Sequence, residues 1–132
     1  MEARVKLWIE IDGQIVLSDW RIGLLLAIDR TGSLSRAAEA LGVPYRTAWH
    51  KLKQMEQRLG MRLVASHSGG AEGGSTQLTP VARRLIERYD HFAAGLSQEV
   101  DRRFAAAFAD LLRAGPHATA PPEEETHGSR SA

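Results

Sequence analysis

The chain of 132 residues contains no cysteine. Disulfide staples, cysteine-ligated zinc and a thiol nucleophile are therefore excluded, and the usage fits a reducing compartment. Histidine occurs five times (50, 67, 91, 117 and 127), but no two stand four apart. Without such a pair on one helical face, no metal site is expected, and no cofactor is assigned. The N-terminus has no basic segment leading into an apolar one, so no signal peptide is read. The longest apolar run, around residues 22–28, is far too short to cross a bilayer. A cytoplasmic chain with no membrane contact is the expectation. The glycine-rich stretch "GGAEGGST" (69–76) superficially has the look of a phosphate cradle. It lacks the lysine of such loops, and no long strand of a parallel sheet precedes it. No catalytic residue can be nominated, and an enzyme is not expected.

Net charge is also small, at +1, until it is divided by position. Residues 1–114 carry +3 and residues 115–132 carry −2. Between Ser35 and Val64 stand six basic residues (Arg36, Arg46, Lys51, Lys53, Arg58, Arg62) against two acidic ones (Glu39, Glu56). A local cluster of positive charge, more than a global excess, is the footprint of a nucleic-acid partner.

The opening "VKLWIEIDGQIVLS" alternates apolar and polar residues around Asp12-Gly13. That pattern predicts two strands, about 5–11 and 14–17, joined by a tight turn. Ser18 offers an N-cap and Asp19 a first-turn carboxylate for a helix running to about Arg30 and ending at Gly32. Trp20, Ile22, Leu24, Leu25, Leu26 and Ile28 point to more than one side of it, so it must be covered twice. A second subunit is the expected second cover; the alternative is the hairpin and the last helix of the same chain. A short second helix runs from Ser33/Ser35 to Leu41, with small Ala37 and Ala38. Gly42-Val43-Pro44 makes a turn, and a third helix spans Tyr45 to Leu59, closed by Gly60. "RLVAS" (62–66) and "TQLT" (76–79) flank the glycine loop as two short strands. Thr79-Pro80 starts a long helix. Its stripe Val81, Leu85, Tyr89, Phe92, Leu96, Val100, Phe104, Phe108 and Leu111 continues for about 30 residues, on the order of 45 Å. So long a stripe is expected to pack on its counterpart in a homodimer. Residues 1–114 are expected to form one DNA-binding and dimerisation domain, and 115–132, with three prolines and three consecutive glutamates, a disordered acidic tail.

Two helices joined by a glycine turn suggest a helix-turn-helix. In the third helix Ala48, Leu52, Met55 and Leu59 form one apolar stripe. Arg46, His50, Lys53 and Gln57 form the opposite one, bordered by Thr47 and Gln54. A helix fits the major groove, where Arg and Lys bond guanine and Gln bonds adenine. The first residues of such a helix reach deepest, which singles out Tyr45, Arg46, Thr47, Trp49 and His50. Lys53 follows on the same face, and Ser35 on the second helix completes the expected contacts. Trp49 is expected to pack in part; Tyr45 is expected to touch a phosphate or base edge through its hydroxyl. For both, closing the edge of the core is the alternative.

With "GSLSRAAEALGVPYRTAWHKLKQM", "RLVASHSGGAEGGSTQLTP" and "ARRLIERYDHF" in place, the chain resembles the N-terminal DNA-binding domain of ModE-type molybdate-responsive transcriptional regulators. It is similar, more broadly, to LysR-type winged helix-turn-helix domains. "VPYRTAW" and the double-glycine wing followed by "LT" carry the ModE likeness, and "GSLSRAAEALGV" is shared with the LysR type. Coverage runs from about residue 4 to residue 110. The implied fold is mainly α with small β: a winged helix-turn-helix with an N-terminal hairpin and a long C-terminal dimerisation helix. The implied recognition residues are Tyr45, Arg46, Thr47, Ala48 and Trp49, with Ser68, Gly69, Gly70, Gly73 and Gly74 in the wing. Glu72 departs from the basic wing tip that phosphate contact would favour. Dimerisation through the first and last helices assigns Trp20, Leu24, Leu85, Tyr89, Phe92, Leu96, Val100 and Phe104 to the interface. The implied partner is double-stranded DNA at a palindromic operator, bound by a homodimer, with repression as the default outcome. No residue matches the family's oxyanion site, so no molybdate binding by this chain is expected. A helical interaction module that modulates another regulator without touching DNA is the competing class, and duplex binding by the isolated chain separates the two.

Overall fold

The computed structural model describes residues 1–67 and 75–113. The wing positions Ser68, Gly69, Gly70, Glu72, Gly73 and Gly74, and the expected tail, lie outside the described residues. The first hairpin pairs β1 (Trp8–Ile11) with β2 (Gln14–Ser18) in antiparallel register. Asp12 and Gly13 take φ of +50° and +76°, the two positive dihedrals that the tightest hairpin turn demands. β1 starts at Trp8 rather than at residue 5, because its last ladder partner, Ser18, already leaves the strand to cap a helix. Val5 is left exposed.

Helix α1 (Asp19–Thr31) begins where Ser18 Oγ accepts from the Arg21 amide at 3.2 Å. Helix α2 (Leu34–Leu41) repeats the device, Ser33 Oγ accepting from the Arg36 amide at 3.1 Å. Helix α3 (Tyr45–Leu59) starts after Pro44 without a side-chain cap. Each of the three ends on a left-handed glycine, Gly32, Gly42 or Gly60, a conformation that costs a residue with a Cβ on the order of 1 kcal/mol. A second antiparallel hairpin, β3 (Val64–His67) with β4 (Ser75–Leu78), forms the wing stem. The Thr76 amide donates to Gly32 O at 2.8 Å and ties that stem to the end of α1. Thr79 Oγ1 donates to Arg62 O at 2.7 Å and accepts from the Ala82 amide, so it caps helix α4 (Pro80–Arg113).

The main core lies between α1, α2, α3 and the wing stem. Leu24, Leu25, Ile28, Ala37, Ala48, Met55, Leu63 and Ala82 are fully enclosed there. The alanines on facing helices let the backbones approach closely. A second, smaller cluster joins Val16 and Leu17 of the hairpin to Ile22 of α1 and Tyr89 of α4. This cluster overturns the expectation that α1 needs another subunit for its second cover. The hairpin folds back and supplies it, leaving only Leu26 of the α1 leucines exposed. Helix α4 runs 34 residues, about 51 Å at the usual rise, far beyond the reach of the core it starts from.

Truncation of Leu52, which is 1% exposed, is expected to cost about 2–5 kcal/mol of unfolding free energy in a denaturant titration. Tyr89 is the second test. Its hydroxyl donates to Asp19 Oδ1 at 2.8 Å and lies 3.4 Å from Leu7 O. Burial first, then the hydrogen bond and charge of Asp19, push the phenol above its ordinary value of 10.0. The folded state therefore holds the proton more tightly than the unfolded one. That stabilisation is whole below the ordinary value and is lost as pH rises above it. Tyr89→Phe is expected to cost about 1 kcal/mol at neutral pH, and the stability gap between the two proteins should narrow as pH climbs past about 10.

Candidate nucleic-acid interface

Helix α3 is held by one side. Ala48, Leu52 and Met55 are enclosed in the core, while Arg46, His50, Lys53 and Gln57 are exposed on the opposite side. The interior stripe has one cause: residues three and four apart stack on one helix face. A rigid, cationic ridge is thereby turned outward. Its N-terminal end carries no side-chain cap, so the first amides of the helix stay free to donate outward.

Tyr45 and Trp49, 54% and 41% exposed, stand one turn apart on the border of the ridge. Trp49 meets His50 edge to face, with ring centroids 5.4 Å apart. The Lys53 ammonium lies 5.9 Å from the Trp49 ring centre and 3.1 Å from Glu56 Oε1. The cation–π contact and the ion pair together hold its head on this flank of α3, where Glu56 would compete with a phosphate for it. Glu56 is itself anchored, because its other oxygen accepts from the Leu63 amide at 2.8 Å. Thr47 is half-buried on the opposite flank, and Ser35 is exposed in the first turn of α2. Of the expected DNA-facing residues of α2 and α3, Ser35, Tyr45, Arg46, Trp49, His50 and Lys53 are thus exposed, and Thr47 is half-buried.

The residues expected at a dimer interface divide differently. Leu24 is fully enclosed and Tyr89 is 5% exposed within the chain itself. Neither has surface to offer a partner: Leu24 lies within the main core, and Tyr89 is packed in the smaller cluster with the hairpin and α1. Trp20 and Leu85 are half-buried against the same cores. Leu96, Val100 and Phe104 are half-buried beside the N-terminal segment. Phe92, Phe108, Leu111 and Leu112 remain exposed.

One side chain that sequence reasoning passed over joins α1 to α3. Arg21 is 2% exposed. Its Nη1 donates to Lys51 O and its Nη2 to Gln54 Oε1, each at 3.3 Å. Burial, with a contribution from the nearby Arg58 charge, lowers its pKa from the ordinary arginine value. Arg58 in turn donates to Ile15 O at 2.8 Å and fastens α3 to the hairpin. The signal was present as a lone arginine inside the apolar run 20–28. Among the described residues, no group of three or more His, Asp or Glu is placed to hold a metal ion.

Comparison with known proteins bears on this geometry directly. The model of the lysR family of bacterial regulatory helix-turn-helix proteins matches residues 21–83. That span runs from the start of α1 into α4 and includes the whole outward ridge. The molybdenum transport protein ModE of Azotobacter vinelandii is 36% identical over 97 residues, covering 74% of this chain and 36% of that protein. The DNA-binding transcriptional dual regulator ModE of Escherichia coli strain K12 is 34% identical over 93 residues, or 70% and 36% respectively. The chain therefore spans about a third of the length of these curated relatives. In fold it is similar to the CbnR DNA-binding domain crystallised with DNA, at a TM-score of 0.52 and 21% identity over 69% of this chain and 99% of that one. Residues 21–83 are thus similar to the lysR family of bacterial regulatory helix-turn-helix proteins, and a somewhat longer stretch is similar to ModE regulators.

Proposed function

We propose that the chain is the DNA-binding part of a bacterial transcriptional regulator, and that α3 enters the major groove of duplex DNA. The observation that carries this reading is the one-sided clamp on α3: three core residues behind, and four exposed polar or cationic side chains in front. Arg46 and His50, near the helix start, are assigned to base edges, with Lys53 and Gln57 further along the groove. Tyr45 and Ser35 are assigned to the backbone, together with the wing glycines beyond His67. The relatives' names supply the regulatory role. A module acting on chromosomal DNA works in the cytoplasm, and occupancy of a promoter by it represses.

We further assign a homodimer on a two-fold symmetric operator, built on α4 and the edge of α1. Support comes from Phe92, Phe108, Leu111 and Leu112, all exposed on one helix, and from a cleft of about 480 Å³ between α1 and α4 lined by Ile22, Gly23, Leu26, Ile86 and Ala93. With Leu24 and Tyr89 withdrawn, the interface rests on Phe92, Leu96, Val100 and Phe104, with Trp20 and Leu85 at its margin. The reading extends to no molybdate site in these residues.

Two measurements test the assignment. Arg46→Ala should weaken binding to the cognate operator by about 1–3 kcal/mol and relax base preference at one position of each half-site; an unchanged preference removes Arg46 from readout. In equilibrium sedimentation the chain should run as a dimer, and Phe92→Asp with Leu96→Asp should shift it to monomer. A wild-type monomer at tens of micromolar contradicts the dimer.

A further inference from the structure

The guanidinium of Arg21 is buried without a counter-ion. Among the described residues no carboxylate forms an ion pair with it, and its Nε has no hydrogen-bond partner. Both of its partners are neutral oxygens, Lys51 O and Gln54 Oε1. Its charged neighbours make matters worse, because they are Lys51 and Arg58. Burial, then Arg21, then Arg58, depress the Lys51 ammonium below the ordinary lysine value. Three positive charges therefore converge where α1, α3 and the first hairpin meet. An uncompensated buried charge is among the costlier features a fold can carry, so an external anion has more to offer here than at a solvated lysine.

The position of the cluster narrows the anion. At 100° per residue, Thr47, Lys51, Gln54 and Arg58 form a stripe about 100° around α3 from Arg46, His50, Lys53 and Gln57. A helix seated in the major groove points one stripe at base edges and its flanks at the phosphate-bearing walls. Glu56, the only acid on α3, lies on the other flank, paired with Lys53. The half-buried Lys51 and Arg58 are the accessible members. Arg21 stands behind them as a fixed charge.

We propose that Lys51 and Arg58, backed by the buried Arg21, form a phosphate-oxyanion site that takes one backbone phosphate of the duplex beside the groove occupied by α3. This deepens the reading given under Proposed function and rests on it for the identity of the ligand. The site positions the helix and reads no base. Its anion supplies the negative charge that the protein itself omits at Gln54.

Two variants of the full chain test it. Lys51→Gln removes the accessible cation, and Gln54→Glu supplies an internal counter-ion to Arg21. Gln54→Glu should raise the melting temperature, which separates its effect from misfolding. Each variant should bind operator and random duplex about tenfold more weakly at low salt, with an unchanged ratio between them. Each should also flatten the dependence of log affinity on log salt by about 0.9 per protomer. A parallel arm melts the proteins in inorganic phosphate against chloride at matched ionic strength. A phosphate-specific rise in wild type that both variants lose, with unchanged salt slopes, assigns the site to free phosphate and overturns the backbone contact. Unchanged slopes with no phosphate-specific rise overturn the site altogether. If wild type binds no duplex at all, the groove reading falls, and the melting arm alone decides whether the site holds an oxyanion.

Discussion

The structure depends on α3 being gripped from one side only. Ala48, Leu52 and Met55 are sealed against α1, α2 and the wing stem, and that contact leaves the helix a single orientation. A helix can rotate about its axis only by exchanging its buried stripe, which here would place Arg46 and Lys53 in an apolar core. The cost of burying such charges unpaired runs to several kcal/mol each. The outward ridge is thus a consequence of the core, and the helix is oriented before any partner arrives.

Polar contacts then set the fine position of α3. Arg21 and Arg58 tie it to α1 and to the hairpin through backbone carbonyls and an amide. Glu56 ties its far end to the chain entering the wing stem. These bonds cross between elements distant in sequence and give the three-helix unit its relative angles. They also concentrate positive charge along one flank. Packing and charge placement are therefore one design: the arginines that orient the helix also electrify the surface beside it.

Much of this was legible in the residues. The bounds of α3 are those its stripes and Gly60 imply, and the Asp12-Gly13 turn and the Ser18, Ser33 and Thr79 caps sit where local chemistry demands them. Local signals report local structure well. What remained hidden was which element covers which. Leu24 and Tyr89 belong to apolar stripes that could equally serve a partner, and only the folded-back hairpin decides that they serve this chain. Arg21 was hidden for a related reason: its partners, Lys51 O and Gln54 Oε1, lie about thirty residues away. No periodicity encodes such a contact.

The most direct test of the central claim is chemical probing of guanine N7 in the major groove with dimethyl sulfate, with the full chain bound to a duplex it selects from random sequence. Protection of N7 at symmetric positions one helical turn apart, or a multiple of it, and loss of that protection in Arg46→Ala, is the result expected of α3 seated in the groove. Stable binding with every major-groove N7 still reactive would contradict it.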